Sequence, residues 1–216
     1  EADPKGSRAL IVTGTRNLRK ALPPWTRFLL VSTGMVYGPN RRPAPAEFAR
    51  PLPRNAYAKA KLEAEHAVPR AIIARPFNHA GPGQDPRFVV ADFARQVARI
   101  EKGKAPPVLR VGNLASQRNF LDVRDVARAY VRLLEAGKPG RVYNLAGPRP
   151  VRIASILAHF RRRSREPLRV ESTAKRRGAD CLTGSAARIR RELGWSPRIP
   201  LERTLDDVLA EWRGKV

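Results

Sequence analysis

The sequence of 216 residues contains a single cysteine, Cys181, so it cannot form an internal disulfide. One thiol is typical of proteins in a reducing compartment, and we expect a cytoplasmic location. Acidic residues are also scarce: 19 Asp and Glu face 43 Lys and Arg, which gives a net charge of +24. Apolar runs are short, and we expect neither a signal peptide nor a membrane partner.

Two explanations of the positive charge stay open. Arginines can simply cover the solvated faces of the protein, or they can neutralise the phosphates of nucleic acid or another polyanion. Basic clusters occur at 161–163, 175–177 and 188–191. Since no aromatic residues are interleaved with them and no nucleic-acid motif is present, nucleic acid is a possible but not a favoured partner.

The chain is 42% hydrophobic, which is typical of a globular protein. Apolar periodicity predicts an alternation of strands and helices, and therefore an α/β fold. Strands are predicted at 28–31, 71–78, 108–111, 141–146 and 168–171, and helices at 55–68, 89–100, 122–136, 152–163, 186–193 and 201–212. Three scattered histidines and one cysteine do not make a metal-ligand pattern, so no metal site is predicted.

A tyrosine and a lysine four residues apart define the most informative stretch of the chain. Asn55 can cap a helix that Pro69 stops, and this helix would present Tyr57 and Lys61 on one face. A nearby ammonium favours the phenolate, so it lowers the phenol pKa toward working pH. Taken alone, the pair is better explained by an ordinary exposed helix, because this spacing of Tyr and Lys is common by chance.

Predicted strands flank this helix on both sides. The first ends in Ser32 and Thr33, and the second runs into Pro76 and Asn78. In a strand–helix–strand unit, ligands bind at the carboxyl ends of the strands. A hydroxyl, a phenol and an ammonium, from Thr33, Tyr57 and Lys61, could therefore meet at that edge.

These motifs resemble those of the extended short-chain dehydrogenase/reductases of the sugar-nucleotide epimerase/dehydratase type (the NAD-dependent epimerase/dehydratase family). Longer matches resemble the GDP-4-keto-6-deoxy-mannose reductase group in particular. The matching segments cover nearly the whole chain and are 32–38, 57–61, 75–84, 110–114 and 118–126.

The resemblance implies a reaction and a set of site residues. The reaction is reduction of a GDP-4-keto-6-deoxy sugar by NAD(P)H. Tyr57 would protonate the developing alkoxide, Thr33 would hydrogen-bond the same oxygen, and Lys61 would bind the nicotinamide ribose and lower the Tyr57 pKa. The cofactor-binding set would be Ser32, Tyr57, Lys61 and Pro76. Without the resemblance, Thr33 would be interpreted as a strand-end hydroxyl bonded to local backbone.

Substrate-binding residues are also implied by the resemblance. Asn78 and Arg118 match positions that hold the diphosphate or nucleoside, and Arg suits phosphate because it donates two parallel hydrogen bonds. Asn119 replaces the family's usual Asp, which leaves the orientation of Arg118 open. Arg176 or Arg177 matches a further arginine near the GDP, although a solvated basic loop is an alternative interpretation.

The first stretch of the chain has two possible structures. Residues 9–14 could form a first Rossmann strand, but the glycines that should follow are absent. Residues 3–22 instead resemble the fourth helix of the Rossmann half, with Pro4 at its start. The family's N-terminal, Gly-rich third would then be missing. We expect a fragment, an incompletely represented sequence or a degenerate paralogue, and the activity of these 216 residues is left open.

The expected fold is therefore a Rossmann-like, doubly wound parallel sheet with a small C-terminal substrate-binding lobe. Residues 1–76 would form the remaining nucleotide-binding half, and 77–216 mainly the lobe, with 118–147 returning to the sheet. The resemblance also implies a homodimer that pairs the Tyr–Lys helix and the helix at 3–22 with their copies. The alternative function is a degenerate, inactive family member that serves as a basic structural or RNA-binding subunit.

Overall fold

A computed structural model of the chain describes residues 4–39, 44–174 and 180–216. The helices in these ranges are α1 (Pro4–Ala21), α2 (Ala56–Ala67), α3 (Val89–Glu101), α4 (Val123–Ala136), α5 (Ile153–Arg163), α6 (Ala187–Leu193) and α7 (Leu201–Lys215). The strands are β1 (Leu29–Val31), β2 (Ile72–Pro76), β3 (Asn78–Ala80), β4 (Val108–Val111), β5 (Gln117–Asp122), β6 (Val142–Leu145), β7 (Pro150–Arg152), β8 (Arg169–Ser172) and β9 (Cys181–Leu182). Among these helices, none has both the length and the apolar content required to cross a bilayer.

The chain divides into two compact units that each use several segments. The first comprises Glu1–Phe77, Val126–Pro148 and Leu182–Ser196, and the second comprises Asn78–Asp125, Arg149–Cys181 and Pro197–Val216. The sequence-based division at 76/77 lies within one residue of the first boundary. It differs at 118–125, which belong to the second unit because β5 pairs there with β3 and β7, and at 182–196, which belong to the first.

The first unit is built on a parallel sheet with the strand order β1–β2–β6. Leu30 pairs with Ile73 and Ala74 with Tyr143, so β2 is the central strand. All five residues of β2 are buried, which explains the short apolar run at 71–74 that predicted it. Since the strands are parallel, their carboxyl ends lie along one edge of the sheet.

Helices α1 and α2 pack against each other in this unit. Helix α1 begins at Pro4 and runs to Ala21, which confirms the helical interpretation of the first stretch and excludes the strand interpretation. In α2 the Asn55 side chain accepts a hydrogen bond of 2.8 Å from the backbone N–H of Ala58, so the predicted cap is confirmed.

The second unit has its own apolar core between helices α3, α5 and α7. Phe93 and Phe160 meet edge to face in this core, with their ring centroids 6.5 Å apart. One sheet runs β3–β5–β7 and a second pairs β4 with β8. Strands β5 and β7 were not predicted from the sequence, because their residues lie in motifs that lack an apolar alternation.

A buried carboxylate joins β5 to α7 in the second unit. Asp122 is 1% exposed and accepts hydrogen bonds of 2.8 Å from the backbone and guanidinium of Arg124 and from the Thr204 hydroxyl. Burial by itself would raise the pKa of Asp122, but the hydrogen bonds from Arg124 and Thr204 outweigh burial and hold the pKa below its ordinary value of 3.8.

We expect Asp122→Asn to lower the free energy of unfolding at pH 7 by about 2–4 kcal/mol, because charged hydrogen bonds are lost in a buried site. Since the folded pKa is depressed, the stabilisation by Asp122 is complete above pH 3.8 and is lost as pH falls through the folded pKa. Urea unfolding between pH 2 and pH 7 measures both effects. Exposed Glu202→Gln on α7 is the control, and an equal loss in both variants would contradict the role of Asp122.

Candidate functional site

The end of β1 presents two hydroxyl side chains, and the structure gives them different partners. Thr33 is 8% exposed, and its Oγ1 accepts a 3.2 Å hydrogen bond from the Met35 N–H, which caps the 3₁₀ turn Gly34–Tyr37. Gly38 then takes a left-handed backbone, with φ of 70°, where a Cβ would overlap the Leu52 carbonyl oxygen. The turn that holds Thr33 therefore requires this glycine.

Helix α2 places Tyr57 and Lys61 on one face, as predicted. The Lys61 Nζ lies 5.8 Å from the centroid of the Tyr57 ring and donates a 2.9 Å hydrogen bond to the Val31 carbonyl at the end of β1. Burial lowers the pKa of Lys61 below its ordinary value of 10.5. The amine is thus held between the phenol ring and the strand that leads into Thr33.

This arrangement can support proton transfer. A cation close to a phenol stabilises the phenolate, so the phenol becomes a better proton donor to an alkoxide that develops nearby. Tyr57 is half-buried, which leaves part of its side chain accessible. The structure therefore brings the phenol and the amine together and ties the amine to the strand end.

Behind this site lies a buried ion pair that sequence reasoning missed. Arg75 of β2 donates hydrogen bonds of 3.0 and 2.6 Å to the two carboxylate oxygens of Glu65, and each residue is 4% exposed. The Ser32 hydroxyl donates to the same Glu65 carboxylate. The sequence did contain a sign of this ion pair, because an arginine directly after the apolar residues of a buried strand predicts a buried acidic partner.

Tyr37 and Asn144 complete this network. Arg75 donates a 2.8 Å hydrogen bond to the Tyr37 hydroxyl, which in turn donates a 2.9 Å hydrogen bond to the Asn144 side chain on β6. Burial raises the pKa of Tyr37 above 10.0, although Arg75 and Asn144 partly oppose the shift. Tyr37 therefore has the electrostatics of a structural tyrosine and not those of an acid.

A fourth tyrosine lies near the candidate acid and was not identified from the sequence. Burial, with a smaller contribution from the charge of a Tyr57 phenolate, raises the pKa of Tyr130 on α4 to about 12. Tyr130 is therefore a poor proton donor near neutral pH.

The predicted substrate residue Asn78 begins β3 in the second unit. Its side chain is half-buried, and within the described part of the chain its buried Oδ1 makes no hydrogen bond. Buried amide oxygens usually have a partner, so an unpaired one at a predicted binding position is a notable feature.

Arg118 is oriented by a residue that sequence reasoning did not identify. Its guanidinium donates hydrogen bonds of 2.9 Å to both the backbone and the carboxylate oxygens of Asp180, and one of 2.8 Å to the Gln117 carbonyl. Burial would raise the pKa of Asp180, but hydrogen bonds from Arg118 and Ser116 outweigh burial and lower it. Asp180 thus supplies an orienting carboxylate where Asn119 replaces the family's usual Asp.

The remaining predicted residues have distinct placements. Pro76 ends β2 and is buried, and Ser32 is 2% exposed with its hydroxyl turned to the interior carboxylate of Glu65. A contact between Ser32 and a cofactor would therefore have to come from its backbone. Arg176 and Arg177 lie outside the described residues.

The class of protein follows from this geometry. Parallel strands that end beside a Tyr–Lys helix form a Rossmann-type α/β fold, which binds nucleotides at the carboxyl edge of its sheet. The chain belongs to the GDP-mannose 4,6 dehydratase family, whose model matches residues 6–208. The membership and the α/β fold class expected from the sequence are therefore confirmed.

Individual relatives refine the comparison. The chain is 37% identical to the GDP-6-deoxy-D-mannose reductase of Pseudomonas aeruginosa, in an alignment that covers 99% of this chain and 76% of the reductase. The structure of RMD from the same organism, complexed with NADPH, matches with a TM-score of 0.93 at 36% identity, over 100% of this chain and 77% of that one.

More distant relatives share the fold. The dTDP-D-glucose 4,6-dehydratase of Mus musculus is 28% identical over 88% of this chain and 56% of its own length. The dTDP-glucose 4,6-dehydratase of Bacillus anthracis, in complex with NAD, has a TM-score of 0.84 at 20% identity and covers 96% of this chain and 68% of that one. The chain thus spans between about half and three quarters of these relatives.

Proposed function

We propose that the protein reduces a GDP-4-keto-6-deoxy sugar with NAD(P)H, as in the synthesis of GDP-rhamnose-type nucleotide sugars. The observation that carries the proposal is the Tyr57–Lys61 pair, held by the Lys61 hydrogen bond to Val31 at the carboxyl end of β1. The similarity to a GDP-6-deoxy-D-mannose reductase and to RMD complexed with NADPH supports this choice of substrate and cofactor.

The residues present fit a nicotinamide cofactor. Lys61 offers a cationic donor at the edge of a parallel sheet, where a ribose hydroxyl can accept from it. Backbone of Ser32 and the end of β2 at Pro76 complete the proposed cofactor contacts. When bound, NAD(P)H supplies a hydride to C4 of the sugar.

Residues of the chain then stabilise and neutralise the negative charge that develops on the sugar C4 oxygen. As the C4 carbonyl gains the hydride, its oxygen becomes an alkoxide, and Tyr57 donates the phenolic proton to that oxygen. The Thr33 hydroxyl, held at the start of the 3₁₀ turn, donates a hydrogen bond to the same oxygen. Lys61 stabilises the resulting phenolate until solvent returns a proton to Tyr57.

The proposed diphosphate contacts belong to the second unit. Arg118 carries five N–H donors, and Asp180 orients the guanidinium that would meet a phosphate. The unpaired Oδ1 of Asn78 marks a neighbouring polar position. Arg176 and Arg177 remain proposed contacts near the GDP.

The proposed oligomer is a homodimer through α1 and α2. On α1, Leu10 is 77% exposed and Leu18 is 54% exposed, and both lie on the same helical face. An exposed apolar stripe beside α2 is the surface that a second copy would cover.

We expect the complete protein to oxidise NADPH when it is given GDP-4-keto-6-deoxymannose, and to act much more slowly on the corresponding dTDP-4-keto-6-deoxyglucose. Absorbance at the NADPH band measures the rate, and product analysis identifies the reduced sugar. Equal rates with both sugar nucleotides would contradict the proposed GDP specificity, and no turnover with either would contradict the reductase.

The alternative is an inactive, basic structural or RNA-binding subunit. The net charge of +24 favours it, and the retained Thr33, Tyr57 and Lys61 argue against it. Tight RNA binding that weakens steeply with salt, together with absent turnover, would support the alternative.

A further inference from the structure

The buried Glu65–Arg75 ion pair has no part in the proposed proton transfer. Both charges are withdrawn from water, with side-chain exposures of 3% and 5%, and burial of a charge pair is costly even when the pair is well bonded. Burial by itself would lower the pKa of Arg75, but the hydrogen bonds and charge of Glu65 and Tyr37 outweigh it and raise that pKa. The arginine therefore remains charged, and the question is what the buried pair holds in place.

Two consecutive turns of α2 are fastened to two consecutive residues of the strand end. Lys61 donates to the Val31 carbonyl, and Glu65, one turn later, accepts from the Ser32 hydroxyl. Both attachments lie directly before Thr33. These two contacts fasten α2, which carries Tyr57, to the two residues directly before Thr33.

Arg75 makes the second attachment rigid. Its two donors occupy both oxygens of Glu65, so the carboxylate cannot rotate away from Ser32. Arg75 is itself held by the Tyr37 hydroxyl and lies over the Tyr37 ring, 4.9 Å from its centroid. Through Asn144, Tyr37 connects this support to β6.

We propose that Glu65, fixed by Arg75, is a positioning residue that sets the register between the Tyr57–Lys61 helix and the Thr33 hydroxyl. The proposal rests on the proposed reductase function. Because Glu65 is buried, it would act through Ser32 and through the helix that carries Tyr57, and not by direct contact with a ligand. A misplacement of about 1 Å in a catalytic constellation can cost about a hundredfold in rate.

The test compares three variants of the complete protein. Ser32→Ala removes the attachment but leaves the ion pair intact, and Glu65→Gln places an amide N–H against a guanidinium donor. Glu63→Gln is the control, because the half-exposed Glu63 lies on the same helix but pairs with Arg8 of α1 and not with the strand end. We expect kcat to fall about 10- to 100-fold in the first two variants, with NADPH Kd within about threefold, and to stay near wild type in the third.

A second measurement reports on the surroundings of the Tyr57 phenol and does not require turnover. The Tyr57 phenol is titrated by NMR with ring-labelled tyrosine, and its signal is assigned by its loss in Tyr57→Phe. We expect Ser32→Ala and Glu65→Gln to shift the phenol pKa toward the ordinary tyrosine value of about 10, because a shifted α2 breaks the Lys61 hydrogen bond to Val31 and releases the ammonium from its place beside the phenol.

The outcomes separate the two proposals. If the wild-type protein reduces no keto sugar, the proposed function fails, and the titration still tests the positioning role. If Ser32→Ala folds normally and keeps both the wild-type kcat and the wild-type Tyr57 pKa, the positioning role is overturned. A loss of thermal stability in Glu65→Gln with kcat per folded molecule unchanged would also overturn it.

Discussion

Replacing Tyr57 with Phe is expected to lower kcat for keto-sugar reduction by about a thousandfold, within the range that a positioned general acid contributes. The substitution removes only the phenolic O–H, so the ring beside Lys61 and the packing of α2 stay in place. NADPH Kd is expected to change by less than about threefold, because the lost proton is needed in the transition state and not in the bound complex. Steady-state kinetics and a fluorescence titration of NADPH measure the two quantities.

Tyr130→Phe is the matched control for this prediction. Its phenol lies near enough to Tyr57 for their charges to interact, but burial raises its pKa to about 12, which makes it a poor acid. We expect Tyr130→Phe to retain kcat within about threefold of wild type. A thousandfold loss of kcat in Tyr130→Phe, with near-normal activity in Tyr57→Phe, would contradict the assignment of Tyr57 as the proton donor.

Replacing Lys61 with Met is expected to lower kcat about a hundredfold and to weaken NADPH binding. The ammonium lies 5.8 Å from the Tyr57 ring centroid, where it would stabilise the phenolate, and in the proposed function it also donates to the ribose. Reduction requires protonated Tyr57, so activity declines as pH rises through the phenol pKa. Without Lys61 that decline should move up toward about pH 10, the ordinary tyrosine range.

Lys59→Met provides the control, because Lys59 is exposed on the same helix and the substitution removes the same charge. Its kcat and pH profile should match wild type. If both lysine variants shifted the high-pH decline of activity equally, the shift would come from the change in net charge. The specific Lys61–Tyr57 interaction would then be excluded.

Local patterns were sufficient to predict the elements that hold the candidate catalytic residues. Asn55 and Pro69 bracket α2, and the apolar run of β2 is buried on both faces, so capping and hydrophobicity determine these elements directly. Pro4, which suits the first position of a helix, likewise agreed with the start of α1. In each case a short-range preference agrees with the tertiary structure.

The segments that were missed depend on partners far along the chain. Strand β5 forms because β3 and β7 pair with it, and its own residues carry polar side chains that give no period of two. The sequence-based division also placed 118–125 and 182–196 in the other unit. Contacts with distant parts of the chain, and not local sequence, decide which unit a segment joins.

Polar contacts between residues far apart in the sequence likewise could not be predicted from single motifs. Arg118 is oriented by Asp180, 62 positions away, which no local substitution pattern indicates. The support of Glu65 by Arg75 joins a helix to a strand, although the charged residue inside β2 was a usable sign of it. Sequence motifs identified candidate reacting groups, and the structure identified what holds them.

Transfer of label from cofactor to sugar tests the central claim most directly. The complete protein would be incubated with GDP-4-keto-6-deoxymannose and with NADPH that carries deuterium at both C4 positions of the nicotinamide, and the product analysed by NMR and mass spectrometry. The account predicts one deuterium at C4 of the reduced sugar in the wild-type protein and almost none formed over the same period by Tyr57→Phe. A bound keto sugar that gains no deuterium at C4, or a Tyr57→Phe variant that labels it at the wild-type rate, would contradict the account.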